Sequence, residues 1–210
     1  MNNLIKDFYE KEHLETKIMP DEWAKKRAKT SLMFIPYGSR ILNLGCGRGF
    51  ESSEFLLADR ENLVSGCDIS ENALINAIPI QNETKQVDLN KIPYPYETES
   101  FNVLYASELI EHLPLIEPFL KECFRILKTE GRLILTTNNP AFVRNRFNLL
   151  IGVSDWTAQQ GHLHYYTPKK LKEFLELNGF KVIHCRNIGN YFFASLGNDY
   201  IIVAEKKAKK

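Results

Sequence analysis

The chain has 210 residues, 44% of them hydrophobic and 25% charged, with a net charge of +1. Those values suit one α/β domain, with or without a small cap, that buries roughly 70% of its unfolded surface. They argue against a broad electrostatic footprint for duplex nucleic acid, and no run approaches the ~20 apolar residues of a membrane span. The N-terminal stretch MNNLIKDFYEKEHLE is too charged for a signal peptide, so a cytoplasmic location is expected. Cys46, Cys67, Cys123 and Cys185 are widely spaced and form no CxxC pair. They read as reduced, buried thiols rather than a disulfide framework or a zinc site. The basic tail Lys206–Lys210 reads as a solvated terminus.

Residues 2–34 carry mixed charge with a helical period. Leu4, Ile5, Phe8 and Tyr9, then Trp23, Arg27 and Leu32, predict two amphipathic helices split near Pro20. Residues 1–36 are therefore read as an N-terminal helical cap and 37–210 as the main domain. Arg40–Leu44 (RILNL) reads as a buried strand running into glycines, and Arg48–Asp59 as a helix. Leu63–Asp68 (LVSGCD) is a second strand, and Ser70 suits the cap of a helix from Glu71 to about Ala77. Thr84–Leu89 reads as a third short strand, before the connection IPYPYETES. Phe101–Ser107 (FNVLYAS) is a fourth, followed by a helix through Leu127 that Pro114 breaks. Gly131–Thr137 (GRLILTT) is a fifth. Residues 138–167 are irregular or mixed and contain two histidines. Thr167–Asn178 opens with a threonine cap and a proline at the first helical position, and Gly179 closes it. Phe180–Arg186 and Asp199–Glu205 are the final strands. Apolar strands alternating with helices predict a mostly parallel sheet covered on both faces. With no helix between the last two strands, the final one is expected to insert antiparallel.

The strongest chemical signal is Gly45-Cys46-Gly47-Arg48-Gly49, directly between a strand and a helix. Such a turn lets a ligand approach the backbone closely and aims a helix N-terminus at it. Its G-x-G-x-G spacing is one residue tighter than the dinucleotide fingerprint and fits a compact nucleoside better than a pyrophosphate. A tight packing turn would also explain it. Asp68, at the end of the next strand, is placed to accept both ribose hydroxyls of a nucleoside over the glycine turn. It could instead cap the following helix, but the adjacent glycine turn favours ribose. Asp88 is expected at the end of the third strand, within reach of an adenine amino group, with Val87, Leu89 and Ile69 about the ring. A turn residue is the other reading of Asp88.

The segments LNLGCGRG, GCDIS, VDLNKIPYPYETESFNVLYASELIEHL and RILKTEGRLILTTNNP resemble successive motifs of the class I S-adenosylmethionine-dependent methyltransferases. GHLHYYTPKKLKEFLELNGF is similar to a late segment of the ubiquinone-biosynthesis-type O-methyltransferases. The resemblance spans about 40–205. It implies an α/β, Rossmann-like, seven-stranded, mostly parallel sheet with a reversed last strand and helices on both faces. It implies S-adenosylmethionine as cofactor and S-adenosylhomocysteine as product. Gly45, Cys46, Gly47 and Gly49 would line the methionine end, Asp68 would hold the ribose and Ile69 would lie against adenine. Asp88 and Leu89 would read the adenine edge, Ser107 would face the methionine moiety, and Arg27 would hold its carboxylate. A solvated helix charge is the other reading of Arg27. The family usually has acids where this chain carries Asn43 and Asn102, so weaker cofactor binding is expected. The insert about 140–167 would be a substrate lid.

An oxygen nucleophile needs its proton removed or its oxygen held by a cation. Glu108, Glu111 and His112 fall at helical spacings of three and four, so a shared helical face is expected. His162 and His164 follow in GHLH. Three readings compete: His112 as a general base oriented by a glutamate, His112 as a packing residue, or a divalent metal held by this set with His162. The metal reading stands behind the other two, and no metal ligand is assigned. Phe142, Phe147, Trp156, Tyr165 and Tyr166 make the insert aromatic, as an acceptor pocket or as loop packing, and Arg144 and Arg146 could meet an anionic acceptor. The overall expectation is a small-molecule methyltransferase acting at oxygen, monomeric or homodimeric and without a nucleic-acid partner. The alternatives are a metal-assisted RNA 3′-end or quinol-type O-methyltransferase, a silent cofactor-binding regulator, and a nicotinamide oxidoreductase, against which the glycine spacing counts.

Overall fold

A computed structural model describes residues 6–11, 22–77, 81–140, 161–188 and 199–208. In chain order these form α1 (Glu22–Leu32), β1 (Arg40–Leu44), α2 (Phe50–Ala58), β2 (Leu63–Asp68), α3 (Glu71–Ala77) and β3 (Glu83–Gln86). Then come β4 (Phe101–Ser107), a 3-10 turn (Ile110–His112), α4 (Ile116–Ile126), β5 (Leu127–Asn138), α5 (Pro168–Leu177), β6 (Phe180–Asn187) and β7 (Asp199–Lys206). A short helical segment precedes them at 6–11. The expected break near Pro20 and the aromatic and arginine residues of the insert, Phe142, Arg144, Arg146, Phe147 and Trp156, lie outside the described residues.

Seven strands form one sheet in the order β3-β2-β1-β4-β5-β7-β6. Pairing is parallel from β3 to β5, and β7 lies antiparallel to both neighbours, as expected for a last strand entered without a helix. Alternation along each strand divides the core between the two faces. Leu42, Leu44, Leu104, Ala106, Leu133, Leu135, Ile202 and Ala204 share one cluster with Phe119, Leu120 and Cys123 of α4 and Leu171 and Leu175 of α5. Ile41, Val103, Tyr105, Ile134, Ile201 and Val203 face the other way, against Ala28 of α1 and Phe55 of α2. The Phe55 and Tyr105 rings meet edge to face at 4.9 Å, an arrangement worth ~0.5–1.5 kcal/mol beyond the area it buries.

Several boundaries differ from the sequence expectation. Helix α2 begins at Phe50 rather than Arg48, because Gly45, Gly47 and Gly49 all adopt positive φ, which no right-handed helix tolerates. Strand β3 ends at Gln86, and Asp88 lies beyond it in a turn closed by the Lys91 N–H on the Asp88 carbonyl at 2.9 Å. Strand β5 starts at Leu127 and runs through the polar Lys128–Glu130 turn. Cys46, Cys67 and Cys123 are buried free thiols, but Cys185 is exposed because β6 is an edge strand with one uncovered side. Among the described residues no helix is long and apolar enough to cross a membrane.

The strand order reverses between β1 and β4, and the crevice at their carboxyl ends is where open α/β sheets take ligands. Gly45, Asp68, Glu108 and Asn138 lie at or just past those ends, and the reversed β7 brings its first residue, Asp199, opposite Asn138.

Candidate active site

The turn after β1 is held by its backbone. The Cys46 N–H donates to the Cys67 carbonyl at 2.9 Å, and the Gly49 N–H donates to the Cys46 carbonyl at 2.9 Å. Gly45 sits at φ 68°, which favours glycine, and a Cβ there would press on the Leu109 side chain at 3.0 Å. Asp68 clamps this turn. One carboxylate oxygen accepts the Gly47 N–H at 2.9 Å and the other accepts the Ser70 N–H at 2.9 Å. Asp68 therefore fixes the glycine turn and the connection into α3 together, while the expected cap of α3, Ser70, accepts the Ala73 N–H on its hydroxyl at 3.1 Å; Asp68 also lines the cavity beside it.

That cavity has a volume of about 320 Å³. Gly45, Gly47, Asp68, Ile69, Asp88 and Leu89 line it, as do Glu108 and His112. Its further walls are Tyr9, from the N-terminal helical region that could be expected to close this cleft, and Asn90, Leu109 and Leu113, which no motif singled out individually. Asp88 accepts from the Asn90 N–H and side-chain amide, each at 3.0 Å, and pairs with Lys91 at 3.2 Å, so it shapes its own turn at the cavity wall.

The remaining cofactor candidates stand behind the wall. Asn43 is buried, and its amide donates to the Ser52 hydroxyl at 2.9 Å, which also accepts from Gln81 at 2.8 Å. Cys46 packs on Leu74 and Ala77. Gly49 supports the start of α2. Asn102 accepts from the Arg40 N–H at 3.0 Å and pins β1 to β4. Ser107 accepts from Arg27 Nε at 3.0 Å and from the Thr136 hydroxyl at 2.9 Å. Arg27 also pairs with Asp199 at 3.2 Å and approaches Glu51 at 4.0 Å, so it is a part-buried charge inside a network rather than a solvated one. Burial opposes its charge, but Glu108, Glu51 and Asp199 together hold the guanidinium ionised more firmly than usual. Glu51 and Asp199 are not apparent from local motifs. The reversal of β7 is the signal that would have placed Asp199 at this edge.

The glutamates and histidines converge, though not on one helical face. Glu108 takes φ 49° before the 3-10 turn, and only Ile110–His112 is helical. A Glu108 oxygen accepts the Asn138 amide at 2.5 Å, and a Glu111 oxygen accepts the Thr137 hydroxyl at 3.0 Å. The Glu111 carbonyl receives the N–H groups of Leu163 and His164 at 2.8 and 3.1 Å, which docks the 161–164 segment onto the site. His112 Nδ1 lies 3.0 Å from the Gly161 carbonyl. A carbonyl only accepts, so in the neutral ring Nδ1 carries the proton and Nε2 the lone pair. The His112 and His162 rings meet edge to face at 4.6 Å. His164 instead turns to the Pro114 carbonyl at 3.1 Å, and Tyr166 joins the core.

Burial raises the carboxyls of Glu108 and Glu111 well above the ordinary range, and for Glu108 the neighbouring Glu111 charge adds to the effect. Burial, with His112 beside it, lowers His162 to about 4 and keeps it neutral. One ligand atom each from Glu111, His112 and His162 lies within 4.8 Å of the others. Among the described residues, the buried atoms Glu108 Oε1, Glu111 Oε1 and His162 Nδ1 have no hydrogen-bond partner. Unpartnered polar atoms of this kind, beside the neutral His162 ring, suit a divalent cation or a polar ligand.

An open, mostly parallel sheet with a nucleoside-sized cavity at its switch point defines a cofactor-binding α/β enzyme. Residues 16–185 match the family model described as a methyltransferase domain, so the chain belongs to that family and is an S-adenosylmethionine-dependent methyltransferase. It is 26% identical over 160 residues to the ubiquinone biosynthesis O-methyltransferase of Coxiella burnetii, covering 72% of this chain and 67% of that protein. To the mitochondrial protein of the same name from Bos taurus it is 27% identical over 162 residues, covering 69% of this chain and 42% of that one. Among solved structures, an S-adenosylmethionine-dependent methyltransferase from Mesorhizobium loti superposes with a TM-score of 0.67 at 18% identity, covering 86% and 98% of the two chains. A chain from the complex of the Haloferax volcanii Trm112 methyltransferase activator with a methyltransferase superposes with a TM-score of 0.72 at 16% identity, covering 88% and 90%.

Proposed function

We propose that this protein methylates a hydroxyl oxygen of a small-molecule acceptor. One observation carries the reading: a single cavity is lined at once by the glycine turn with Asp68, Ile69, Asp88 and Leu89, and by Glu108 and His112. The residues present fit the cofactor. Asp68 is a fixed acceptor for the ribose hydroxyls, Ile69 and Leu89 offer apolar faces to adenine, and Asp88 stands at its edge. Gly45 and Gly47 let the methionine portion lie close to the backbone, towards Ser107 and the acid-rich surroundings of Arg27. The bound cofactor supplies an electrophilic methyl group, and the chain supplies position and electrostatics.

His112 then serves as general base through Nε2, with its ring fixed by the Gly161 carbonyl and the edge of His162. The names of the O-methyltransferase relatives support oxygen as the accepting atom. In this reading the protein works in the cytoplasm, as a monomer or homodimer, on a small molecule rather than nucleic acid. The expected substrate lid of about 140–167 lies outside the described residues over 141–160.

A second reading is favoured by the orphaned atoms of Glu111 and His162. Glu111, His112 and His162 would hold a divalent cation, which would lower the pKa of the acceptor hydroxyl. Release of S-adenosylhomocysteine with a panel of small catechols and other hydroxylated acceptors tests both readings. The expected result is acceptor-dependent release, with His112→Ala lowering turnover ~10²-fold or more while cofactor affinity changes little. Loss of activity in chelator with return in Mg²⁺ or Mn²⁺ would select the cation; insensitivity would select the base. Cofactor binding without release towards any acceptor would contradict both.

A further inference from the structure

The N-terminal segment 6–11 meets the β2–α3 connection through Glu10. The Glu10 carboxylate accepts the Glu71 N–H at 2.7 Å, the Asn72 N–H at 3.0 Å and the Ser70 hydroxyl at 2.9 Å, while the Asn72 amide reaches the Glu10 carbonyl at 3.5 Å. These groups follow directly on Asp68 and Ile69. This contact and the packing of Tyr9 beside it tie the described residues of the segment to the body of the protein. Tyr9, the preceding residue, lines the cofactor cavity and sets its ring edge to face against His112 at 5.9 Å. Phe8 backs Tyr9 at 5.2 Å.

We propose that Glu10 is a positioning residue for methyl transfer, fastening the 6–11 segment to the β2–α3 connection so that Tyr9 closes the cavity over bound cofactor and holds His112 in place. The inference rests on the cofactor reading above. The fastening and the nucleoside contacts share one short connection, so ligand on Asp68 and Ile69 and the carboxylate on Ser70–Asn72 order the same backbone. Cofactor exchange then requires Glu10 to let go. Burial works against the Glu10 charge, yet the bonds from Asn72, Glu71 and Ser70 hold its carboxyl below the usual range, so the fastening is ionised at neutral pH.

A purely structural Glu10 would affect unfolding and little else. The test measures the S-adenosylhomocysteine release rate, kcat and the thermal midpoint for wild type, Glu10→Ala, Glu10→Gln and Tyr9→Ala, with Glu22→Ala, at the exposed start of α1, as control. Expected are release at least tenfold faster and kcat at least fivefold lower in Glu10→Ala and Tyr9→Ala, with the midpoint of the ligand-free proteins nearly unchanged. Glu10→Gln, which keeps an acceptor without the charge, should fall between, and Glu22→Ala should match wild type. Release and kcat within twofold of wild type in Glu10→Ala, or a lowered midpoint with unchanged release, would overturn the proposal while leaving the cofactor reading intact. A wild type that binds no S-adenosylhomocysteine would overturn both.

Discussion

Asp68 is the side chain on which the proposed cofactor site turns, because it faces both the protein and the cavity. Its two oxygens hold the Gly47 and Ser70 N–H groups, so the carboxylate that would receive the ribose is already oriented before ligand arrives. Asp68→Ala removes both functions, and S-adenosylmethionine should bind at least tenfold more weakly by calorimetry, ~1.4 kcal/mol or more. Asp68→Asn keeps an acceptor and should lose less; unchanged affinity in the alanine variant would refute the ribose role. Asp68 was legible in the sequence because strand end, glycine turn and acid recur at fixed positions. Tyr9 and Glu10 were not, since a contact spanning some sixty residues leaves no periodic trace. Asn43 was legible only as a departure from the family. Its buried donation to Ser52 gives it a packing task of its own.

Among the elements, α4 does more than cover the sheet. Glu122 accepts the Tyr94 N–H at 2.7 Å, and Arg125 binds Glu122 at 2.8 Å and donates to the Tyr94 and Tyr96 carbonyls at 3.1 and 2.8 Å. This bracket holds the connection that leads from the cavity wall at Asp88–Asn90 into β4. Glu122→Ala strands a backbone donor and a cation, and should lower unfolding free energy by ~2–3 kcal/mol. Hydrogen bonds from Arg125 hold the Glu122 carboxyl below the ordinary range. A depressed carboxyl stabilises above its unfolded pKa and loses that contribution as pH falls through its folded value, so the stability gap between wild type and variant should close below pH ~4. Denaturant titrations at neutral pH and in acid check it; a gap independent of pH would contradict the bracket.

The central strands could be read directly, since the middles of β1, β4 and β7 are buried on both faces and therefore mostly apolar. The edge strand β3, with sequence ETKQ, carries no such signal, and its length and the place of Asp88 were misjudged for that reason. The spacing of Glu108, Glu111 and His112 suggested a helix. The left-handed backbone at Glu108 breaks it, and the same residues are assembled through Asn138, Thr137 and Gly161 from other parts of the chain.

At the scale of the molecule, the reversal of strand order between β1 and β4 opens one crevice, and the chain brings to it the glycine turn, the acid of β2, the cluster after β4 and the N-terminal segment. A crystal structure grown with excess S-adenosylhomocysteine tests that convergence most directly. The account predicts ribose on Asp68, adenine between Ile69 and Leu89, Tyr9 over the ligand, and the sulfur directed towards His112. An empty cavity, or ligand bound elsewhere on the protein, would contradict it.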